Sequence, residues 1–180
     1  MGDILANWLI LGNSTFERTE LYSNHLEKAF EKFIPAPFGG AILILHENLV
    51  TICAASGAQI TQWKWKTGGK ILACHWTLDQ DLIFVTDDGT VLVFSIYGEL
   101  VKSTNMGQEA KDMKVRDAQI FFSKYSTGVA VLTTSNRFFV VNNIKGKVNI
   151  EDIESGTGLS VSDCLLNVSM LNSSKSILSI

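Results

Sequence analysis

DDGTVLVFSIYGELV, residues 87–101, places two turn signals on either side of an apolar, β-branched run. Asp88-Gly89 can supply the positive φ angles of a tight hairpin, Val91 to Ile96 has strand composition, and Tyr97-Gly98-Glu99 reads as a second turn into Leu100-Val101. Such an element cannot bury its apolar face alone. Whether it is a lone hairpin or one blade of an array depends on copies elsewhere in the chain.

Copies are present. LVTICAASGAQITQW (49–63), VLVFSIYGELVKST (91–104) and FFVVNNIKGKVNI (138–150) each read as strand, turn, strand, with Gly57, Gly98 and Gly146 marking turns 41 and 48 residues apart. Four-stranded propeller blades recur at about 40 to 50 residues, a period that sandwiches do not show. Upstream of each copy lies a further apolar run, AILILH (41–46), DLIFVT (81–86) and GVAVLTT (128–134). Two copies have another strand candidate before that, KILACHW (70–76) and DAQIFF (117–122). The junctions have turn chemistry: Asn48, Thr77 to Asp81, Asp87 to Gly89, and Ser135-Asn136. The expected fold is therefore all-β: a partial, open, WD-like β-propeller of about three to four four-stranded blades. Residues 1–154 form the propeller segment, and residues 155–180, with eight serines, are an incomplete blade or a disordered tail.

A propeller leaves the outward edge of each fourth strand unpaired, and lysine protects such edges. Lys64 and Lys66, Lys102, and Lys147 fall in or just after these strands, so exposure is expected there. In WKWK (63–66), period-two geometry puts Trp63 and Trp65 on one face and both lysines on the other. An amphipathic edge strand with its indoles on the next blade accounts for this better than an aromatic and basic patch for RNA or membrane. Residues 17–37 are ambiguous. Tyr22, Leu26, Ala29, Phe30 and Phe33 have helical spacing, yet a first blade needs an inner strand just before Phe38.

Hydrophobic residues at 46% and charged residues at 18% describe a chain that builds a packed core. Fifteen basic against 18 acidic residues give a net charge of −3, which lacks the electrostatic footprint of phosphate-backbone binding and argues against a nucleic-acid partner. Cys53, Cys74 and Cys164 have no metal-type spacing and each lies in or beside an apolar run, so they read as reduced core residues. The N-terminus is acidic at Asp3 and has no Lys or Arg before position 18, so it is not read as a secretory signal. Ala6 stands where myristoylation wants Ser or Thr. Sequons at Asn13, Asn167 and Asn172 then have no glycosylating compartment to meet, and the expected address is the cytosol.

No set of residues carries catalysis. His25, His46 and His75 are far apart without a carboxylate or cysteine at ligand spacing, and His75 reads as a hydrogen-bonded core residue. Asp79, Asp81, Asp87 and Asp88 lack the order of a Ca²⁺ loop and read as hairpin-turn residues. Gly39-Gly40 and Gly68-Gly69 are turn pairs with no following phosphate-binding Lys-Ser. No catalytic, cofactor-binding or metal-ligating residue is nominated, no cofactor is expected, and the chain is read as a non-enzyme. A WD-type propeller scaffold of another coat or assembly complex fits the same repeats.

The wording of several blocks adds to this reading. ANW (6–8), ELYS (20–23), PAPFGG (35–40), AASGA (54–58), MGQEA (106–110) and VRDAQIFFSKYSTGVAVLTTSNRF (115–138), in that order, resemble the N-terminal region of the vacuolar protein sorting-associated protein sixteen family. The resemblance implies an N-terminal β-propeller of a core subunit of the class C tethering complexes HOPS and CORVET. It implies as partners the other class C subunits, with an SM-type regulator bound by an α-solenoid further along the full-length form. It also implies peripheral placement on late endosome and lysosome or vacuole membranes. After about residue 150 the serine-rich ending departs from the family's remaining blades, which reads as a truncated form. The family's ring takes about twice as many blades as three and a half units, so open sheet edges are expected.

Overall fold

The computed structural model describes residues 8–11, 13–17, 32–66, 68–123, 126–146, 148–153, 167–170 and 176–179. A short hairpin of β1 (Trp8–Leu11) and β2 (Ser14–Glu17) comes first. The first four-stranded sheet follows: β3 (Lys32–Pro35), β4 (Ile42–His46), β5 (Leu49–Cys53) and β6 (Gln59–Lys64). The second holds β7 (Ile71–Trp76), β8 (Leu82–Thr86), β9 (Thr90–Phe94) and β10 (Leu100–Asn105). After the short helix α1 (Gln108–Met113) comes the third: β11 (Val115–Phe122), β12 (Thr127–Thr133), β13 (Phe138–Val141) and β14 (Ile150–Ile153). A last hairpin pairs β15 (Asn167–Met170) with β16 (Ser176–Ser179).

Each four-stranded sheet is a meander in which every strand pairs antiparallel with its neighbour in sequence. The first strands β3, β7 and β11 lie beside one another, and β15 continues that series beyond β11. The sheets are thus arranged with their first strands inward and their fourth strands outward, an open propeller. The region read as ambiguous resolves in part, because β3 is the inner strand that the first blade needs. The helical spacing upstream of it falls on residues 18–31, outside the described residues.

Burial follows from the stacking. Central strands β8 and β12 are buried along their whole length, as expected of strands covered on both faces. One apolar cluster joins the first and second sheets, including Leu43, Ile52, Trp65, Trp76, Phe84 and Phe94. A second joins the second and third, including Ile83, Val85, Val91, Val131, Phe139 and Ile144. A bulge between Ile71 and Ala73 shifts the parity of β7, so Leu72 and Ala73 face the third sheet while Cys74 and Trp76 face the first.

The turn glycines are equivalent in two of three copies. Ala54 N donates to Ala58 O and Gly57 N to Ala54 O, at 2.8 and 2.9 Å; Ser95 N donates to Glu99 O and Gly98 N to Ser95 O, at 2.8 and 3.0 Å. Gly57 and Gly98 have φ of 84° and 80°, which a side chain adopts only under strain. The third connection differs. There the Asn143 side-chain oxygen accepts from Lys145 N and Gly146 N, Gly146 has no positive φ, and β14 starts only at Ile150. Ile144, fully buried at 0% exposure, anchors the longer loop, so burial of one side chain replaces the turn chemistry of the other two copies.

Candidate interaction surface

With the apolar faces turned towards each other, the surface left for function consists of outer edges, turns and the clefts between blades. The junction of the first two blades carries the aromatic residues singled out in WKWK. Trp65 is buried against Phe84 and Phe94 of the second sheet, at ring-centroid distances of 4.9 and 6.2 Å, and half-buried Trp63 stacks on Phe94 at 5.6 Å. Lys64 and Lys66 point the other way and are exposed. These indoles therefore belong to the core between blades.

The second outer edge departs from expectation. Lys102 is half-buried, and its Nζ donates to Gly146 O at 2.9 Å and to Lys145 O at 3.3 Å, across to the third blade. A bulge between Leu100 and Lys102 turns consecutive residues outward, so Leu100 and Val101 are 54% and 59% exposed beside Tyr97 at 67%. Its stem lies along the surface while its head bonds these loop carbonyls, so this lysine ties two blades together instead of standing free at the edge. Lys147 lies outside the described residues.

The four aspartates separate into two pairs at opposite ends of β8. Asp79 and Asp81 hold Lys145 of the third blade, with oxygens 2.8 and 2.5 Å from its Nζ. Burial alone would push the Lys145 ammonium down, but the two carboxylates outweigh it and hold its pKa above the usual lysine value. Asp87 accepts from Lys70 N at 2.8 Å, and Asp88 accepts from Thr86 Oγ1 and Thr90 N at 2.5 and 3.0 Å. All four therefore close loops or bridge blades, as their turn composition suggests. Among the described residues no group of three or more His, Cys, Asp or Glu side chains is placed to hold a metal ion.

The remaining sequence candidates are scattered. His75 Nδ1 donates to Trp76 O at 3.1 Å and its ring lies edge-on to Phe122 at 5.1 Å, but the residue is half-buried rather than in the core. His46 ends β4 with both ring nitrogens shielded and without a hydrogen bond. Cys53 and Cys74 are buried free thiols; burial pushes both up in pKa, and nearby Lys32 partly offsets this at Cys74. His25 and Cys164 lie outside the described residues.

The structure also shows polar devices that sequence reading missed. Buried Thr86 and Thr133 close the turns after β8 and β12, accepting or donating through Oγ1 to Asp88, Thr90, Ser135 and Arg137. Thr77 Oγ1 accepts from Asp79 N and Asp81 N. The signal was a threonine two to four residues before a turn's end, which is too common to single out. Trp76 Nε1 donates to Ile34 O at 2.8 Å and Lys32 Nζ to Leu72 O at 3.1 Å, tying β3 to β7 at the inner rim.

Stacked four-stranded meanders with first strands inward define a β-propeller. The likeness extends to solved propellers: superposition on the WD40 domain of SCAP from fission yeast gives a TM-score of 0.54 at 14% identity, over 71% of this chain and 34% of that one. Sequence comparison narrows the class to a family. The family described as Vps16, N-terminal region, matches residues 4–179, and the chain belongs to it. That match runs through the serine-rich tail, beyond the point near residue 150 where the resemblance was expected to end. A vacuolar protein sorting-associated protein 16 homolog of Dictyostelium discoideum is 26% identical over 156 residues, 78% of this chain and 18% of that protein. The Arabidopsis thaliana protein VACUOLELESS1 is 26% identical over 160 residues, 79% of this chain and 18% of that protein. The chain thus spans less than a fifth of the length of these relatives.

Proposed function

We propose that this chain is a non-catalytic scaffold element of an endolysosomal membrane-tethering complex of the HOPS or CORVET type, acting in vesicle-mediated delivery of protein to the lysosome or vacuole. The family match over residues 4–179 carries the reading. The relatives' names, which speak of vacuolar protein sorting and of a vacuole-less state, are consistent with it. Physically, blades whose faces are used on one another leave edges and loops as the surface for other subunits, which suits a scaffold.

The partners in this reading are other class C subunits, with an SM-type regulator engaged by a solenoid further along the full-length form. Nucleic acid is not among them. The chain works in the cytoplasm and reaches late endosome and lysosome or vacuole membranes peripherally, through the complex. Among the described residues no helix is long and apolar enough to cross a membrane. Residues 1–154 act as the propeller segment and residues 155–180 as an incomplete fourth blade, to which β15 and β16 belong.

Affinity purification of the full-length form from cells, followed by mass spectrometry of what accompanies it, tests the proposal. Class C subunits in near-equal amounts are expected; their absence under conditions that preserve the complex ends it. The 180-residue chain alone is expected to self-associate through its open sheets, and a monomeric sizing profile with one cooperative melt would contradict that.

A further inference from the structure

Where the chain passes from the first blade to the second, a cleft of about 490 Å³ opens between the start of β3, the turn after β4 and the loop joining β6 to β7. Three ammonium-bearing side chains line it: Lys32, Lys66 and Lys70. Leu45, Trp65 and Ile71 supply apolar lining, and among the described residues Glu47 is the single acidic side chain on its wall. The cleft is therefore basic in a chain whose net charge is −3.

Its walls are fixed. Trp65 N donates to Asn48 O at 2.6 Å and its indole Nε1 to Gly69 O at 3.0 Å, closing the loop on itself. Lys70 N donates to Asp87 Oδ1 and Asp87 N to Lys70 O, at 2.8 and 3.0 Å, pinning the loop to the second blade. Gly69 lies so close to that blade that a Cβ would sit 2.7 Å from Thr86 Cβ, so the approach requires glycine. Held at these points, the described residues of the loop present Lys66 and Lys70 at one cavity.

The ammonium groups are available. Lys66 and Lys70 are exposed and neither has a carboxylate within ion-pair distance among the described residues. Lys32 gives one hydrogen bond to Leu72 O, leaving donors for a second acceptor. This contrasts with Lys102 and Lys145, whose ammoniums are used between the second and third blades. Among the described residues no arginine lines the cleft, so recognition there rests on point charges and not on the planar fork that grips carboxylates and phosphates alike. Three point charges around one cavity instead match a compact, multiply charged tetrahedral oxyanion.

We propose that this cleft binds a phosphate ester: phosphate groups meet Lys32, Lys66 and Lys70 while the carbon skeleton rests against Leu45, Trp65 and Ile71. Such a group could belong to a soluble inositol phosphate or to a lipid headgroup, and the chemistry is shared. Binding is an inference separate from membership of a tethering complex, since it is read on the protein and added ligand alone.

The test is calorimetric titration of the full chain with inositol hexakisphosphate and pyrophosphate, and cosedimentation with vesicles carrying either a phosphoinositide or phosphatidylserine at matched charge. Saturable binding that weakens with salt is expected, for the soluble probes, for the phosphoinositide vesicles, or for both. The variant Lys66→Gln/Lys70→Gln should lose about a hundredfold in affinity with an unchanged melting temperature, since each charge-assisted contact is worth roughly a factor of ten. Lys111→Gln, on exposed α1 away from the cleft, should bind as the parent does. No saturable binding, equal loss in Lys111→Gln, equal capture by phosphatidylserine vesicles, or tighter binding of a polyglutamate peptide would each overturn the proposal. The first arm separates the sources: soluble binding without vesicle capture identifies a free phosphate ester, and headgroup-selective capture identifies a lipid.

Discussion

The two junctions between the three four-stranded sheets both pack sheet face on sheet face, with different fillings. Between the first and second sheets the contact rests on rings: Trp65, Phe84 and Phe94 within 6.2 Å of one another, with Trp76 fully buried and hydrogen-bonded across to Ile34. Between the second and third the contact is mainly β-branched, Ile83, Val85, Val91 and Val93 with Val129, Val131 and Val141, and Phe139 and Ile144 are buried in the same cluster. A few large side chains concentrate stabilisation at single positions, while many small ones distribute it. The first junction is therefore sensitive to single substitutions and the second is tolerant of them.

The largest expected effect is at Trp76. Trp76→Ala removes a fully buried indole and its bond to Ile34 O, a loss of about 3–5 kcal/mol. This is a large fraction of the roughly 5–15 kcal/mol that holds a domain together, so denaturant titration should show a strongly lowered unfolding midpoint. Trp76→Phe, which keeps the ring and drops the donor, should lose less. Should the alanine variant melt like the parent, the concentrated junction does not exist.

At the second junction Val131→Ala should reduce stability by about 2 kcal/mol, the transfer of two methyl groups plus a small cavity. Val85→Ala is expected to behave the same way. Both side chains belong to the same buried cluster, so the double variant sharpens the comparison: losses that add would show a distributed contact. A coupling of more than about 1 kcal/mol would show that this junction, too, depends on one focus.

A smaller effect separates two turns that look alike in sequence. Gly98 combines a φ of 80° with a Cβ position 3.0 Å from the Trp63 ring, so Gly98→Ala strains the backbone and presses on the aromatic junction. A loss of about 1–3 kcal/mol is expected in thermal unfolding. Gly146 has no positive φ, and a Cβ there meets first the side chain of Asn143, so Gly146→Ala should lose less than Gly98→Ala. The reverse order would mean that the third connection is a turn of the same kind after all.

That contrast marks how far the chain was legible. Most strands of the three sheets could be read because Val, Ile and Leu runs end in Asp-Gly, Asn or Gly turns, which are local signals. The third turn misled, because Gly146 carries the same letter as Gly98 while Ile144 sets the loop by long-range burial. The helix α1 went unread since six residues are less than two turns and show no 3.6-residue period; what holds it is burial of Ala110 against the second junction. Strand β3 was legible only as a requirement of the blade, because its exposed and half-buried residues alternate without a long apolar run. Of the candidate surface, the basic cleft was legible only at Trp65 and Lys66, within the WKWK stretch whose reading as an aromatic and basic patch was set aside. Lys32 and Lys70 are 38 positions apart and meet only when the first blade folds back on its own start.

The smallest effects distinguish the junctions by pH. At the first junction the carboxylate of Asp87 accepts from Lys70 N, backed by a backbone bond between the same two residues, while the ties from Trp76 and Lys32 to backbone carbonyls involve no carboxylate. The second blade's tie to the third does: Asp79 and Asp81 hold Lys145, and Asp88 closes the turn beside α1. For Asp88, burial pushes the carboxyl up, but hydrogen bonds from Thr86 and Thr90 and the charge of Lys111 outweigh it and hold it below its ordinary value. A depressed folded-state pKa contributes stability above the unfolded value, near 3.9, that is lost as pH falls through the folded one. The Lys145 pKa is raised, so its contribution is complete below the unfolded value, near 10.4, and is lost as pH rises through the folded one. Asp88→Asn should therefore flatten the acid limb of the stability profile, and Lys145→Gln the alkaline limb. Hydrogen exchange at each limb should open amides of β9 to β12 before those of β4 to β8. Exchange that opens the aromatic junction first would show that titrating charge reaches it by a route other than these ties.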